Sequence, residues 1–93
     1  MIKVKFYGTL QTLLKIKETS TIHFSGMNIK QLLDILQENI KVDFKSKLVS
    51  DDGKVIPGTI ILVNKQNIFH LNLLETQLND NDEVVIFPPG AGG

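Results

Sequence analysis

Residues 27–40 read MNIKQLLDILQENI, and this stretch decides the fold because its apolar residues repeat with the period of a helix. Ile29, Leu32, Leu33, Leu36 and Ile40 form one stripe. Asn28 offers a side-chain acceptor at the N-cap position, Gln31 stands three residues later as in a capping box, and Met27 is placed to staple onto Leu32. A helix with a single apolar stripe needs one apolar surface to lie on. The flanking segments supply it with a different period.

Ahead of the helix, Ile2, Val4 and Phe6 alternate with Lys3, Lys5 and Tyr7, which predicts a strand with one buried face. Gly8 breaks it, Thr9 is expected to cap, and Leu10, Leu13 and Leu14 predict a short helix over 9–16. TSTIHF (19–24) predicts a second strand paired with the first, Ile22 and Phe24 inward and His23 outward. Beyond the main helix, 41–58 is polar and punctuated by Asp52-Gly53 and Pro57-Gly58; it predicts irregular chain pinned by Phe44 and Leu48.

TIILVN (59–64) is an almost unbroken β-branched and aliphatic run, expected in mid-sheet or covered on both faces. A tight turn at Asn64 to Asn67 returns through NIFHL (67–71) as a shorter strand. NLLETQLNDND (72–82) predicts one helical turn and an acidic corner, and EVVIF (83–87) a last strand stopped by Pro88 and Pro89, which cannot donate to a ladder. One helix across a mixed sheet of four to five strands, the first and last side by side in the centre, is an α+β, ubiquitin-like β-grasp. The expected domain is 1–89, followed by a flexible Gly-Gly tail over 90–93.

Composition narrows the function classes. Ninety-three residues, 42% of them hydrophobic, support one modest core. Ten basic and ten acidic residues cancel, leaving no global field to attract nucleic acid or an anionic membrane. The absence of cysteine removes disulfides, thiolate metal sites and a thiol nucleophile, and no signal-peptide or membrane-spanning pattern occurs. A cytoplasmic protein is expected.

The end of the chain, FPPGAGG (87–93), carries the chemistry. Two prolines favour a polyproline-like exit, and Gly90, Ala91, Gly92 and Gly93 offer little bulk to obstruct a narrow cleft. A terminal carboxylate is an anion at neutral pH and a poor acyl donor. Activation requires attack on the α-phosphate of ATP, and the chain has no phosphate-cradling loop of its own. Another protein must consume that ATP. No Ser-His-Asp set or carboxylate pair can be placed, so the chain is expected to be a carrier and not an enzyme.

KVKFYGTLQTLL (3–14), TIILVN (59–64) and above all TQLNDNDEVVIFPPGAGG (76–93) resemble the small subunit of molybdopterin synthase, a MoaD-like sulfur carrier of the MoaD/ThiS ubiquitin-like family. The short helix after the first strand favours this branch over the shorter thiamine-pathway carriers. The resemblance implies that Gly93 is adenylated by a ubiquitin-activating-type enzyme, converted to a thiocarboxylate and inserted into the large synthase subunit, which moves sulfur onto cyclic pyranopterin monophosphate. It implies no cofactor bound by the chain itself. Asn64-Lys65 departs from the Asn-Gly common at that turn. A protein modifier conjugated to target lysines, a carrier for thiamine or a tungsten cofactor, and a pure interaction module stay open.

Phe87 and Val85 face away from Val84 and Ile86, and with Pro88 and Pro89 they are the candidate partner-facing residues. His23 and His70 lack companions for a zinc set and read as solvated. Asp80, Asp82 and Glu83 lack the spacing of a calcium loop and read as a turn that could orient a basic partner. Lys3 and Lys5 are expected to be solvated.

Overall fold

The computed structural model describes residues 1–90; Ala91, Gly92 and Gly93, with the expectations placed on them, lie outside the described residues. Among the described residues, strands β1 (Ile2–Phe6), β2 (Glu18–Thr21), β3 (Ile60–Val63), β4 (Gln66–Asn67) and β5 (Glu83–Phe87) make one mixed sheet. Its order is β2-β1-β5-β3-β4. β1 and β5 run parallel at the centre, while β2 and β3 pair antiparallel on either side of them. Helices α1 (Thr9–Leu14) and α2 (Ile29–Asn39) complete the ubiquitin-like β-grasp.

α2 forms where the stripe predicts it. Asn28 Oδ1 accepts from the Gln31 amide at 2.9 Å and Gln31 Oε1 from the Asn28 amide at 3.0 Å, closing the capping box. The cap contributes about 1 kcal/mol. Ile29, Leu32, Leu33 and Leu36 are buried against Ile2, Val4, Phe6, Val84 and Ile86 in the common core, at roughly 2 kcal/mol each. Packing on the sheet therefore outweighs the cap in holding the helix. Phe6 meets Phe44 edge-on, with centroids 5.8 Å apart, so the irregular segment after α2 is pinned as its two buried residues Phe44 and Leu48 predict.

Gln37 fixes the exit from α2. Its Oε1 accepts from the amides of Phe44 (2.9 Å) and Lys45 (3.0 Å), and its Nε2 donates to the carbonyls of Ile40 and Val42, both at 3.0 Å. One amide thereby stands in for a missing turn of backbone ladder.

Several expectations are corrected. Thr9 is the first residue of α1, and the N-cap is Gly8 at φ 63, with no side-chain cap. β2 ends at Thr21, since its partner β1 begins at Ile2 and Ile2 pairs with Thr21. Thr19 and Thr21 share the face of Val4 and Ile2, so parity turns His23 inward and leaves Ile22 72% and Phe24 41% exposed, the reverse of the expected facing. The return segment NIFHL is mostly not strand: β4 is two residues long and Ile68–His70 is a 3-10 turn, in which the Phe69 amide donates to the Asn67 side chain. β3 lies inside the sheet but is covered on one face only, with Ile61 and Val63 buried and Ile60 40% exposed. Asn64 and Lys65 both take positive φ (48 and 74), the primed hairpin turn that Asn-Gly would also make.

Candidate functional site

β5 carries the chain toward its end between β1 and β3. Val84 and Ile86 point into the core, while Val85 and Phe87 are half-buried on the outer face. In the sheet register Val85 lies between Lys5 and Leu62, and Phe87 beside Ile60. On its other side the Tyr7 ring stacks on Phe87 with centroids 5.0 Å apart and planes at 17°. The Tyr7 amide donates to the Ile86 carbonyl at 3.0 Å, which extends the β1–β5 seam to that point. Tyr7, Phe87, Ile60, Val85 and Leu62 thus form an apolar outer patch at the root of the tail. Lys5 and Glu83 border it with an ion pair at 3.5 Å.

The proline pair does two different things. Pro88 is buried, which removes it from the expected partner-facing set; Pro89 is half-buried and Gly90 exposed. The expected polyproline-like exit extends no further than Pro89, because Gly90 takes φ 79 and the chain turns there. That left-handed angle suits glycine.

The acidic corner anchors the start of β5. Asp82 is buried, its Oδ1 accepting from Asn64 Nδ2 and its Oδ2 from the Asn79 amide, both at 2.8 Å. Asn64 completes the tie, since its Oδ1 accepts from the Glu83 amide at 3.0 Å. Asp80 pairs with the Met1 ammonium, whose hydrogen bond holds its carboxyl below the usual range. Both aspartates are engaged within the chain. Lys3 faces Glu18 at 4.0 Å. His23, expected to be solvated, is half-buried and donates from Nε2 to the Leu78 carbonyl at 2.8 Å; His70 is exposed.

Among the described residues no group of three or more His, Asp or Glu is placed to hold a metal ion, and no helix is long and apolar enough to cross a membrane. A groove of about 440 Å³ lined by Lys30, Leu33, Gln37, Lys45, Val49 and Leu74 lies on the α2 side, away from the outer sheet face. Two contributors to the tail root were not singled out from sequence: Tyr7, stacked on Phe87, and Gly58, where an added Cβ would stand 3.3 Å from Pro89 Cβ. Tyr7 continues the outward parity of Lys3 and Lys5, a signal that was available; Gly58 was visible only as a chain break.

SAMP1 of Haloferax volcanii superposes with a TM-score of 0.81 at 21% identity, covering 99% of this chain and 98% of that one, a likeness of fold. Small archaeal modifier protein 1 of Methanosarcina acetivorans gives 0.74 at 30% identity over 99% and 95%. In sequence, ubiquitin-related modifier 1 of Schizosaccharomyces pombe is 30% identical over 99% of this chain and 98% of that protein. A candidate sulfur carrier protein of Archaeoglobus fulgidus is 34% identical over 72% and 75%. Small archaeal modifier protein 3 of Haloferax volcanii is 44% identical over 46% of this chain, which spans about half of that relative's length (47%). The ThiS family model matches residues 4–93. From the second residue of β1's core face to the last glycine, then, the sequence follows one pattern: this chain belongs to the ThiS family of ubiquitin-like sulfur carriers and modifiers.

Proposed function

We propose that this chain is the sulfur carrier subunit of molybdopterin synthase, acting in the cytoplasm, with the Gly93 carboxylate as its reacting group. The observation that carries the reading is the pairing, at one end of β5, of an apolar outer patch around Phe87 with the turn at Gly90. A partner seated on the patch has the turn at Gly90 beside it. The sequence resemblance supplies the acceptor.

In the proposed reaction one Gly93 carboxylate oxygen attacks the α-phosphorus of ATP on a ubiquitin-activating-type enzyme, and diphosphate leaves. A hydrosulfide ion then adds to the acyl carbon, AMP departs with the bridging oxygen, the thioacid loses its proton, and a thiocarboxylate remains. Gly90, Ala91 and Gly92 give the clearance that a closed active site requires. Phe87 and Val85, with Pro89 at their edge, meet the partner. This chain binds no cofactor, and the large synthase subunit supplies the catalytic groups for sulfur transfer to cyclic pyranopterin monophosphate.

Incubation with the activating enzyme, ATP and a sulfur donor is expected to replace one carrier oxygen by sulfur in the intact mass; the product and the large subunit should then convert cyclic pyranopterin monophosphate. A thiocarboxylate that forms but is not consumed there would move the carrier to another acceptor. The modifier names of two relatives favour a second reading, in which the same adenylate ends as an amide on a lysine. High-mass conjugates in cell extract that vanish on deletion of Gly93 would select it.

A further inference from the structure

Past the last ladder pair, Ile60 with Phe87, the two chains continue side by side without hydrogen bonds, because Pro88 and Pro89 have no amide to donate. The chain opposite them is a tight turn: the Thr59 amide donates to the Ile56 carbonyl at 3.0 Å, with Pro57 and Gly58 at the corner and Gly58 at φ 94. The turn is held from below. Ile56 donates to the Leu48 carbonyl at 2.8 Å, and Thr59, which is buried, reaches the same carbonyl with its hydroxyl. A Cβ added to Gly58 would stand 3.3 Å from Pro89 Cβ, 3.5 Å from Pro89 Cα and 3.9 Å from the Gly90 nitrogen. Glycine at 58 is thus needed twice, for its backbone angle and for the space the tail root occupies.

We propose that Gly58 is a positioning residue for the carrier reaction: the Pro57-Gly58 turn is the seat on which Pro89 rests, and it sets the heading with which the chain leaves at Gly90 toward the activating enzyme's site. This rests on the carrier reading above. The seat acts on the orientation of the reacting end, while the Tyr7–Phe87 patch acts on binding. Changing the seat should therefore lower the rate of adenylation at saturation and leave KM little altered.

The test is ATP–diphosphate exchange by the activating enzyme with the full-length carrier, its Gly58→Ala and Pro89→Gly variants, and the double variant, with Tm measured for each. Gly58→Ala is expected to lose about tenfold in kcat with KM nearly unchanged. Pro89→Gly, which removes the other half of the seat, is expected to lower kcat as well, and the double variant should lose little more than the worse single variant because both act on one contact, while the Tm deficit caused by the strained angle at residue 58 persists. Wild-type kcat in Gly58→Ala, an effect confined to KM, or a double variant whose loss is the full product of the two single losses would overturn the proposal. Absence of exchange with the wild-type carrier would overturn the carrier reading and the positioning role with it. A nuclear Overhauser contact between Gly58 Hα and the Pro89 ring, read on the free protein, separates a wrong seat from a wrong function.

Discussion

Tyr7 and Phe87 lie ring on ring, 5.0 Å apart, on the outer face of the two central strands. Tyr7 is 40% exposed and Phe87 half-buried, so the stack is a surface feature built on the seam that also holds the core. Its position ties the proposed partner-facing patch to the same strand that delivers the tail. Phe87→Ala removes the stack and should cost about 1 kcal/mol in stability. Affinity for the activating enzyme, measured by calorimetric titration, should fall about tenfold or more. Unchanged affinity would place the docking surface elsewhere.

Gln37 gives a sharper structural test. Its amide makes four hydrogen bonds to backbone groups of residues 40, 42, 44 and 45. Gln37→Ala leaves them to compete for water in a half-buried setting, at a cost of about 2 kcal/mol. Gln37→Glu keeps the shape but replaces two N–H donors by one O–H when protonated and by none when ionised, so its deficit should lie between those of wild type and Gln37→Ala at acid pH and grow when the carboxylate ionises. Urea unfolding at two pH values checks both.

Much of this architecture is legible in the sequence because period and punctuation agree. The α2 stripe, its capping box and the alternation of β1 all point to one packing, and the central β1–β5 pair follows from it. Ile22 and Phe24 mislead because alternation gives parity but not register. Only the Ile2–Thr21 pairing shows that the strand has run out and that His23 shares the core side. β4 is truncated by the Asn67 side chain, which accepts from the Phe69 amide and starts a 3-10 turn inside an apolar run. At the site, the outward facing of Phe87 and Val85 could be read directly. The contact of Gly58 with Pro89 could not, being made by residues far apart in the chain that meet only because β3 and β5 are neighbours.

Asp34 predicts a pH effect. Partial burial alone would raise its pKa, but hydrogen bonds and charges from Lys45 and Lys30, the latter at 3.1 Å, outweigh that and hold it below the ordinary carboxylate range. A folded-state pKa below the unfolded one stabilises above the unfolded value, and that stabilisation is lost as pH falls through the folded value. The side chain is 36% exposed, so solvent screening keeps the contribution under about 1 kcal/mol. Asp34→Asn should lower Tm slightly at neutral pH, and the gap from wild type should close in strong acid. A gap that widens with acidification would contradict the sign.

An isotope experiment reads directly whether the Gly93 carboxylate itself performs the proposed attack on ATP. Carrier prepared with oxygen-18 in the Gly93 carboxylate is incubated with the activating enzyme, ATP and a sulfur donor, and the AMP and carrier are weighed by mass spectrometry. AMP carrying one heavy oxygen, and a carrier holding one sulfur and the other heavy oxygen, are expected. AMP released without label, or a carrier that keeps both heavy oxygens, would contradict that attack.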